Sequence, residues 1–503
     1  MEFLQQVEQW GVFEIELHAS KNFENPFRDV WVQATFKIGN EYKRANGFYD
    51  GGNVWRIRFM PEKIGSYHFQ LESNISDFQS LEGDFLSVPP SEGNHGPVQV
   101  NGIHFNYADG TPFFVMGTTA YAWTYRPEEV RNRTLDSFAK YGFNKIRMLF
   151  FPKFYGGMHN DVKIDYDPPV FPFAGSPNNF DFKTFVPEYF RNYEDRVKDL
   201  MRLGIEADVI LFHPYDKWGI DSSMRQADDL FYVNYMIARL SAYRNVWWSL
   251  ANEFDISSTP EGLFCASMDR KDWDLIGATI KANDPHGHLI SVHNLPMRFI
   301  YPDRDWLSHV SIQHPDTYNF LLELKQQYNK PVVNDEYQYE GNTKDEWGNS
   351  DGETTLFRHW LSAMAGAYAS HGEVFKIDGN ETDLFWSYGG TFIGESAPRL
   401  KFMKEIIEST PYQEMERDWA NTDGHHYFAL NKGIDEYLFF CRYDLPGKGF
   451  WFGSYDGHRQ EYDVSVYDAW NCVERETLTV KELEGNHLLP IKAWTVYKLK
   501  RRK

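Results

Sequence analysis

Over the first ninety or so residues apolar side chains occupy every second place. "VFEIEL", "VWVQATFKI", "NVWRIRF" and "SYHFQLES" all alternate in this way, and turn signals such as "DGGN" and "PEKIGS" separate them. Strands at this spacing, with no helical pattern between them, predict an antiparallel, Ig-like β-sandwich over residues 1–90. "SVPPSEGNHGP" (Ser87 to Pro97) is rich in Pro, Gly and Ser and reads as a linker.

The pattern then changes to short apolar strands alternating with amphipathic stretches of helical period. The strands are "FFVMGTTAY" (113–121), "NKIRMLFF" (144–151), "EADVILFHP" (206–214), "NVWWSLANE" (245–253), "HLISVHN" (288–294), "SHVSIQHP" (308–315) and "PVVNDEY" (331–337). A last one is expected between Gly372 and Trp386. Helical stretches include "PEEVRNRTLDSFAKYG", "YEDRVKDLMRLG", "DLFYVNYMIARLSAY" and "TTLFRHWLSAMAGAYASHG", several ending in Gly before the next strand. Eight such units over roughly 300 residues predict an α/β class chain whose centre, residues 91–418, is a (β/α)8 TIM barrel. No GxGxxG or GxxxxGK[ST] follows any of these strands, which counts against a nucleotide-binding sheet. From about Trp419 alternation returns in "EYLFFCRYD", "YDVSVYDAW" and "KAWTVYKLK", predicting a small C-terminal β-sandwich over 419–503.

In a barrel of this kind the active site lies at the C-terminal ends of the strands. Those ends offer Tyr121 and Trp123, Arg147, His213 and Tyr215, Asn252 and Glu253, His293 and Asn294, His314, Glu336 and Tyr337, and Trp386. Glu253 and Glu336, on strands four and seven, face each other across the barrel mouth. Such a pair suits glycosidic bond cleavage, where one carboxyl protonates the leaving oxygen and the other attacks or activates water. The hydroxyl of Tyr337, beside Glu336, is placed to keep a carboxylate ionised. Asp335 is expected to point away by strand alternation and to be structural.

Composition narrows the partners. A net charge of −21 makes nucleic acid and anionic membrane surfaces poor partners, since both need basic stripes. The three cysteines, Cys265, Cys441 and Cys472, form no CxxC, so a zinc ribbon or redox pair is not expected. "HGH" (His286 to His288) and "GHH" (Gly424 to His426) lack HExxH spacing and an evident third ligand, and no GxSxG elbow is present. No cofactor is expected. The N-terminus has no leader pattern and no run of some 18 apolar residues occurs, so a cytoplasmic chain is expected, or an exported one already trimmed. Aromatic residues make up 17% of the chain, with sixteen tryptophans, and serve either as core or as flat faces for sugar rings. The partner expected is an oligosaccharide or glycoside substrate, and a homo-oligomer is compatible with the sequence.

"LANE" on the fourth strand and "VNDEY" on the seventh resemble the retaining glycoside hydrolases of clan A, the "four over seven" barrels that include cellulases and β-mannanases. The resemblance spans roughly Val98 to Glu408. It implies that Glu253 is the acid/base, Glu336 the nucleophile, and Asn252 the partner of the sugar 2-hydroxyl. It further implies that Arg147 orients the nucleophile and that Trp386 floors the sugar subsite. Trp123, His213, His314 and Tyr337 complete the expected substrate-binding set. The chain departs from the clan in "QHPDTY", where Tyr318 is displaced from His314, and in "NEF" for the commoner "NEP". A retaining hydrolase of β-linked oligosaccharides is the expectation. The alternatives are an inverting glycosidase and a non-catalytic carbohydrate-binding protein on the same barrel.

Overall fold

The computed structural model describes residues 5–154, 167–257, 267–298, 300–376, 384–453, 460–481 and 489–502. Eight parallel strands form its central sheet: Met116–Thr119, Lys145–Leu149, Glu206–Phe212, Val246–Ala251, Ile290–Ser291, Val310–Gln313, Val332–Glu336 and Tyr368–His371, strands one to eight below. Strand one pairs with both two and eight, and a bridge between His293 and Ser311 brings five against six, so the sheet curls into a nearly closed barrel. Strands two, three and four are buried at every residue, as parallel strands covered on both faces must be.

The outer layer contains Glu128–Tyr141, Pro187–Arg202, Gln226–Leu240, Trp273–Asn283, Asn319–Tyr328, Gly352–Met364 and Ser396–Glu408. Between strands five and six the described residues hold no helix. The first of these helices stops at Gly142, whose φ of 68° is the left-handed cap that a glycine adopts without strain. Inside the barrel, Lys145 Nζ sits 2.6 Å from Asp208 and 2.7 Å from Asp335, one cation shared by two buried carboxylates.

Two expectations are corrected here. "TTLFRHWLSAMAGAYASHG" is not one helix: the helix ends at Met364, the chain turns at Gly366, and Tyr368–His371 is strand eight. Four buried residues are too few to show a period, and the Ala-rich run before them favours helix. The described residues of 372–386 do not supply the barrel strand; Phe385–Tyr388 is a short helix, and 377–383 lie outside the described residues, as does Cys265. Asp335 is the second. A register shift pairs Ile312 with Asn334 but Gln313 with Glu336, so Asp335 is bulged and faces Lys145 in the interior instead of pointing away.

At the N-terminus a five-stranded and a three-stranded sheet face each other. Phe36 of the first stacks on Phe59 of the second at 4.1 Å, and Phe13 of the second on Phe85 of the first at 3.9 Å. At the C-terminus a six-stranded sheet follows the barrel. Its Phe440 stacks on Trp360 of helix Gly352–Met364 at 4.8 Å, while neighbouring Phe439 points the other way onto Phe450 at 4.3 Å. Among the described residues no helix is long and apolar enough to cross a membrane.

Candidate active site

Strand four is buried through Ala251, and its C-terminal end breaks the strand geometry. Glu253 has a φ of 54°, a left-handed conformation rare for a residue with a side chain. Simple alternation would send Asn252 and Glu253 to opposite faces. The left-handed turn lets both reach the mouth of the barrel, and main-chain bonds from Asn252 to Phe212 and from Phe254 to His293 hold it at 3.0 and 2.9 Å. On strand seven the bulge at Asp335 gives Glu336 the same freedom.

One hydrogen-bonded chain joins the two glutamates. The Tyr215 hydroxyl donates to Glu253. Asn252 Nδ2 donates to the Tyr215 oxygen at 3.0 Å, and Asn252 Oδ1 accepts from Arg147 at 2.7 Å. Arg147 donates from its other terminal nitrogen to Glu336 Oε1, also at 2.7 Å. Tyr121 and Tyr339 donate their hydroxyls to the two oxygens of Glu336.

This network biases the pair in opposite directions. Burial, and next the negative Glu336, push the Glu253 carboxyl up to about 8. Burial would raise Glu336 as well, but the Arg147 guanidinium leads a set of opposing contacts that hold it below the usual carboxylate range. His293 lies 3.6 Å from Glu336, but burial keeps its imidazole neutral down to about 3, so Arg147 is the cation that matters. At neutral pH one carboxyl therefore carries a proton and the other a charge.

Both glutamates line one cavity of about 210 Å³. Among the described residues its wall includes Tyr121, Lys153, Tyr215, Gln313, Tyr339, Asp345, Trp347 and Trp386, with Leu295, Pro296 and Val374 apolar between them. Glu253, Glu336 and Trp386 of the expected set reach this wall directly, and Asn252 and Arg147 act one bond behind it. The other four do not line it. Trp123 is fully buried against Phe138, because the turn after strand one folds it back under helix Glu128–Tyr141. Tyr337 alternates away from Glu336 and bonds His359, so its expected role at the nucleophile falls to Tyr339, two residues on. His213 is buried beneath Tyr215, whose main-chain N–H it accepts at 3.2 Å, and burial lowers its pKa to about 3. His314 caps the next turn by accepting from Asp316 and stacks on Phe320, leaving Gln313 as strand six's contribution to the cavity.

Lys153, Gln313, Tyr339 and Asp345 escaped sequence reasoning. Tyr339 carried the one usable signal, an aromatic hydroxyl three residues past a strand-end glutamate. The "HGH" histidines serve elsewhere: His286 bonds Glu62 of the N-terminal domain at 3.1 Å and His288 bonds Asp284 at 2.8 Å. Glu340, His371 and Glu373 bring ligand-type atoms within 4.8 Å of one another. Their carboxylate oxygens accept the main-chain N–H groups of Ile393, Gly394, Glu395 and Ser396, so this pair caps the N-terminus of helix Ser396–Glu408. Five donors, counting the Ser396 hydroxyl, turned toward the oxygens make it a poor seat for a cation.

Known proteins resemble the chain in both its N-terminal domain and its barrel. Residues 6–74 match a domain of unknown function (DUF5060), and residues 99–414 match the apiosidase-like catalytic domain. No curated protein matches the chain. A candidate glycoside hydrolase from Bacteroides vulgatus ATCC 8482 is 34% identical over 99% of this chain and 100% of its own, with a TM-score of 0.86. A family 5 glycoside hydrolase from the same organism shares the fold at 15% identity, covering 81% of this chain and 94% of its own with a TM-score of 0.54. The chain belongs to the apiosidase-like family and is a glycoside hydrolase built on a (β/α)8 barrel.

Proposed function

We propose that the protein cleaves β-linked glycosides with net retention, Glu336 acting as nucleophile and Glu253 as acid/base. The observation that carries the division of roles is the opposite protonation bias of two carboxyls on one cavity wall, Glu253 pushed up to about 8 and Glu336 held low. Retention follows from the resemblance of "LANE" and "VNDEY" to the retaining clan. In the first step Glu336 forms a bond to the anomeric carbon as the bond to the leaving oxygen breaks, and the Glu253 proton goes to that oxygen. In the second step water attacks the same carbon, its proton passes to Glu253, and the ester bond to Glu336 breaks. Asn252, fixed by Arg147, supports the Tyr215 hydroxyl that bonds the acid from one bond behind the wall, and Trp386 is the apolar platform under the ring.

The cavity is small, below the roughly 300 Å³ at which pockets for larger ligands begin. That supports removal of a single terminal sugar from a glycoside or short oligosaccharide. The family description directs the first substrates to β-linked apiosides. We extend the reading to three domains, 1–90, 91–418 and 419–503, with an Ig-like sandwich before the barrel and a β-sandwich after it.

The test is a screen of aryl β- and α-glycosides, apiosides included, followed by proton NMR of the first product from the one that is cleaved. Retention at the anomeric carbon is expected, and inversion would overturn the double-displacement reading. Glu336→Ala should abolish turnover of the same substrate in a variant that still folds by circular dichroism, with a lower melting temperature because Arg147 loses its buried partner. Appreciable residual turnover would remove Glu336 from the nucleophile role.

A further inference from the structure

Lys153 follows strand two in a loop that the two-carboxylate mechanism does not call on. Among the described lining residues of the cavity it is the only cation. Its Nζ lies over the faces of Tyr121, Tyr215 and Trp386 at 4.0, 4.5 and 4.6 Å from the ring centres. Ring faces are negative and hold an ammonium at such distances. The choice of rings is informative: Tyr121 bonds the candidate nucleophile, Tyr215 bonds the candidate acid, and Trp386 is the sugar platform.

Retaining chemistry moves a negative charge. Before attack it resides on Glu336, and in the glycosyl-enzyme, with Glu336 esterified, it resides on Glu253. Arg147 is committed to Glu336 and Asn252, each at 2.7 Å, and serves the first of these states. Lys153 is the cation whose charge acts on Glu253 as well as on Glu336. We propose that Lys153 is a positioning residue whose ammonium, seated on the rings of Tyr121, Tyr215 and Trp386, stabilises the negative charge when it passes to Glu253 and so speeds the second half-reaction. The inference rests on the retaining reading above.

The groups that act on Lys153 come from every side of the mouth: Tyr121 after strand one, Arg147 on two, Tyr215 after three, Glu253 after four, Glu336 at seven and Trp386 after eight. Tyr339 and Asp345 line the same cavity. Burial pulls the lysine well below its usual range, and Glu336 and then Glu253 pull it back up. The ring faces favour its charged form besides.

The experiment compares wild type, Lys153→Met and Lys153→Arg on the dinitrophenyl version of the glycoside that the wild type cleaves, whose departure needs no acid. In Lys153→Met, kcat should fall about 10- to 100-fold with KM falling in parallel, and a pre-steady-state burst of one equivalent of dinitrophenol should appear. The acidic limb of its kcat profile should move to higher pH by about one unit or more, because Glu253 without its cation holds a proton it must lack to act as base. Lys153→Arg, which keeps the charge, should retain the wild-type limb. If Lys153→Met does not fold, Lys153→Gln carries the same comparison. Unchanged limbs, or equal losses in both half-reactions, overturn the proposal. A wild type that inverts overturns the retaining reading itself, whereas a retaining wild type with an indifferent Lys153→Met variant overturns this one alone.

Discussion

At the scale of single residues, the site depends on hydroxyls that select between near neighbours. Tyr339 bonds Glu336, while Tyr337, next to the same glutamate, bonds His359 behind the barrel wall. A hydrogen bond to a charged group contributes roughly 1.5–3 kcal/mol. Tyr339→Phe should therefore lower kcat/KM about 10- to 150-fold and move the acidic limb of the profile upward, since the lost hydroxyl helps hold Glu336 low. Tyr337→Phe should leave kcat/KM within about twofold and appear as a lower melting temperature. Steady-state kinetics on the two variants, side by side, checks both. The proposed acid, Glu253, sets the other limb. Glu253 must be protonated to assist a poor leaving group, so kcat/KM for such a substrate should decline as pH rises through about 8.

At the scale of elements, two local irregularities deliver the carboxylates: the left-handed turn at Glu253 and the bulge at Asp335. The bulge is held from within by Lys145, Ser311 and Ser370, which all bond Asp335. Lys145→Met leaves Asp208 and Asp335 buried without their shared cation. It should cost about 3–5 kcal/mol of stability, read by urea unfolding, with Glu336 displaced and activity lost in step. The apolar runs of strands one to seven and the polar residues at their ends were legible in the chain, which is why Glu253, Glu336 and Asn252 could be named. Arg147, inside strand two, was named through the family resemblance. The bulge was not, because register belongs to the partner strand as much as to the bulged one. Strand eight was hidden by its four-residue length behind a helix-favouring run. Trp123 and Tyr337 were named from their places at strand ends, but the turn after strand one and the alternation of strand seven carry their side chains into the core. Lys153 was invisible for another reason: among the described residues, rings from two separate loops and a short helix define its seat.

At the scale of the whole molecule, the N-terminal domain is fastened to the barrel by buried charge. Arg58 donates to Glu194 at 2.8 Å and to the carbonyl of Arg239 at 2.8 Å, and Arg239 in turn bonds Asp50 at 2.8 Å. Glu194 also accepts from Tyr243 at 3.0 Å. Removing one member of such a set strands the others away from water. Arg58→Ala should destabilise the protein by about 3–5 kcal/mol, and a chain cut to begin at residue 91 should expose Glu194 and Arg239 and fail to fold to a stable barrel. Thermal unfolding of the first and recovery of the second as soluble protein are the measurements. If the shortened chain were stable and active, the N-terminal sheets would be an independent module.

The barrel wall is not equally strong around its circumference. Strand five is two residues long, the described residues between five and six hold no helix, and the His293–Ser311 bridge makes the junction there. The same His293 faces Glu336. A ring opens first at its weakest join, so transient opening of the native protein should begin beside Glu336, the proposed nucleophile, not opposite it. Amide hydrogen exchange would register this as faster labelling of 290–294 and 310–313 than of strands three and four, and a ligand held in the cavity would slow it. The seam thus gives the active site a mechanical address on the barrel, the place where binding at the mouth is felt by the backbone of the wall.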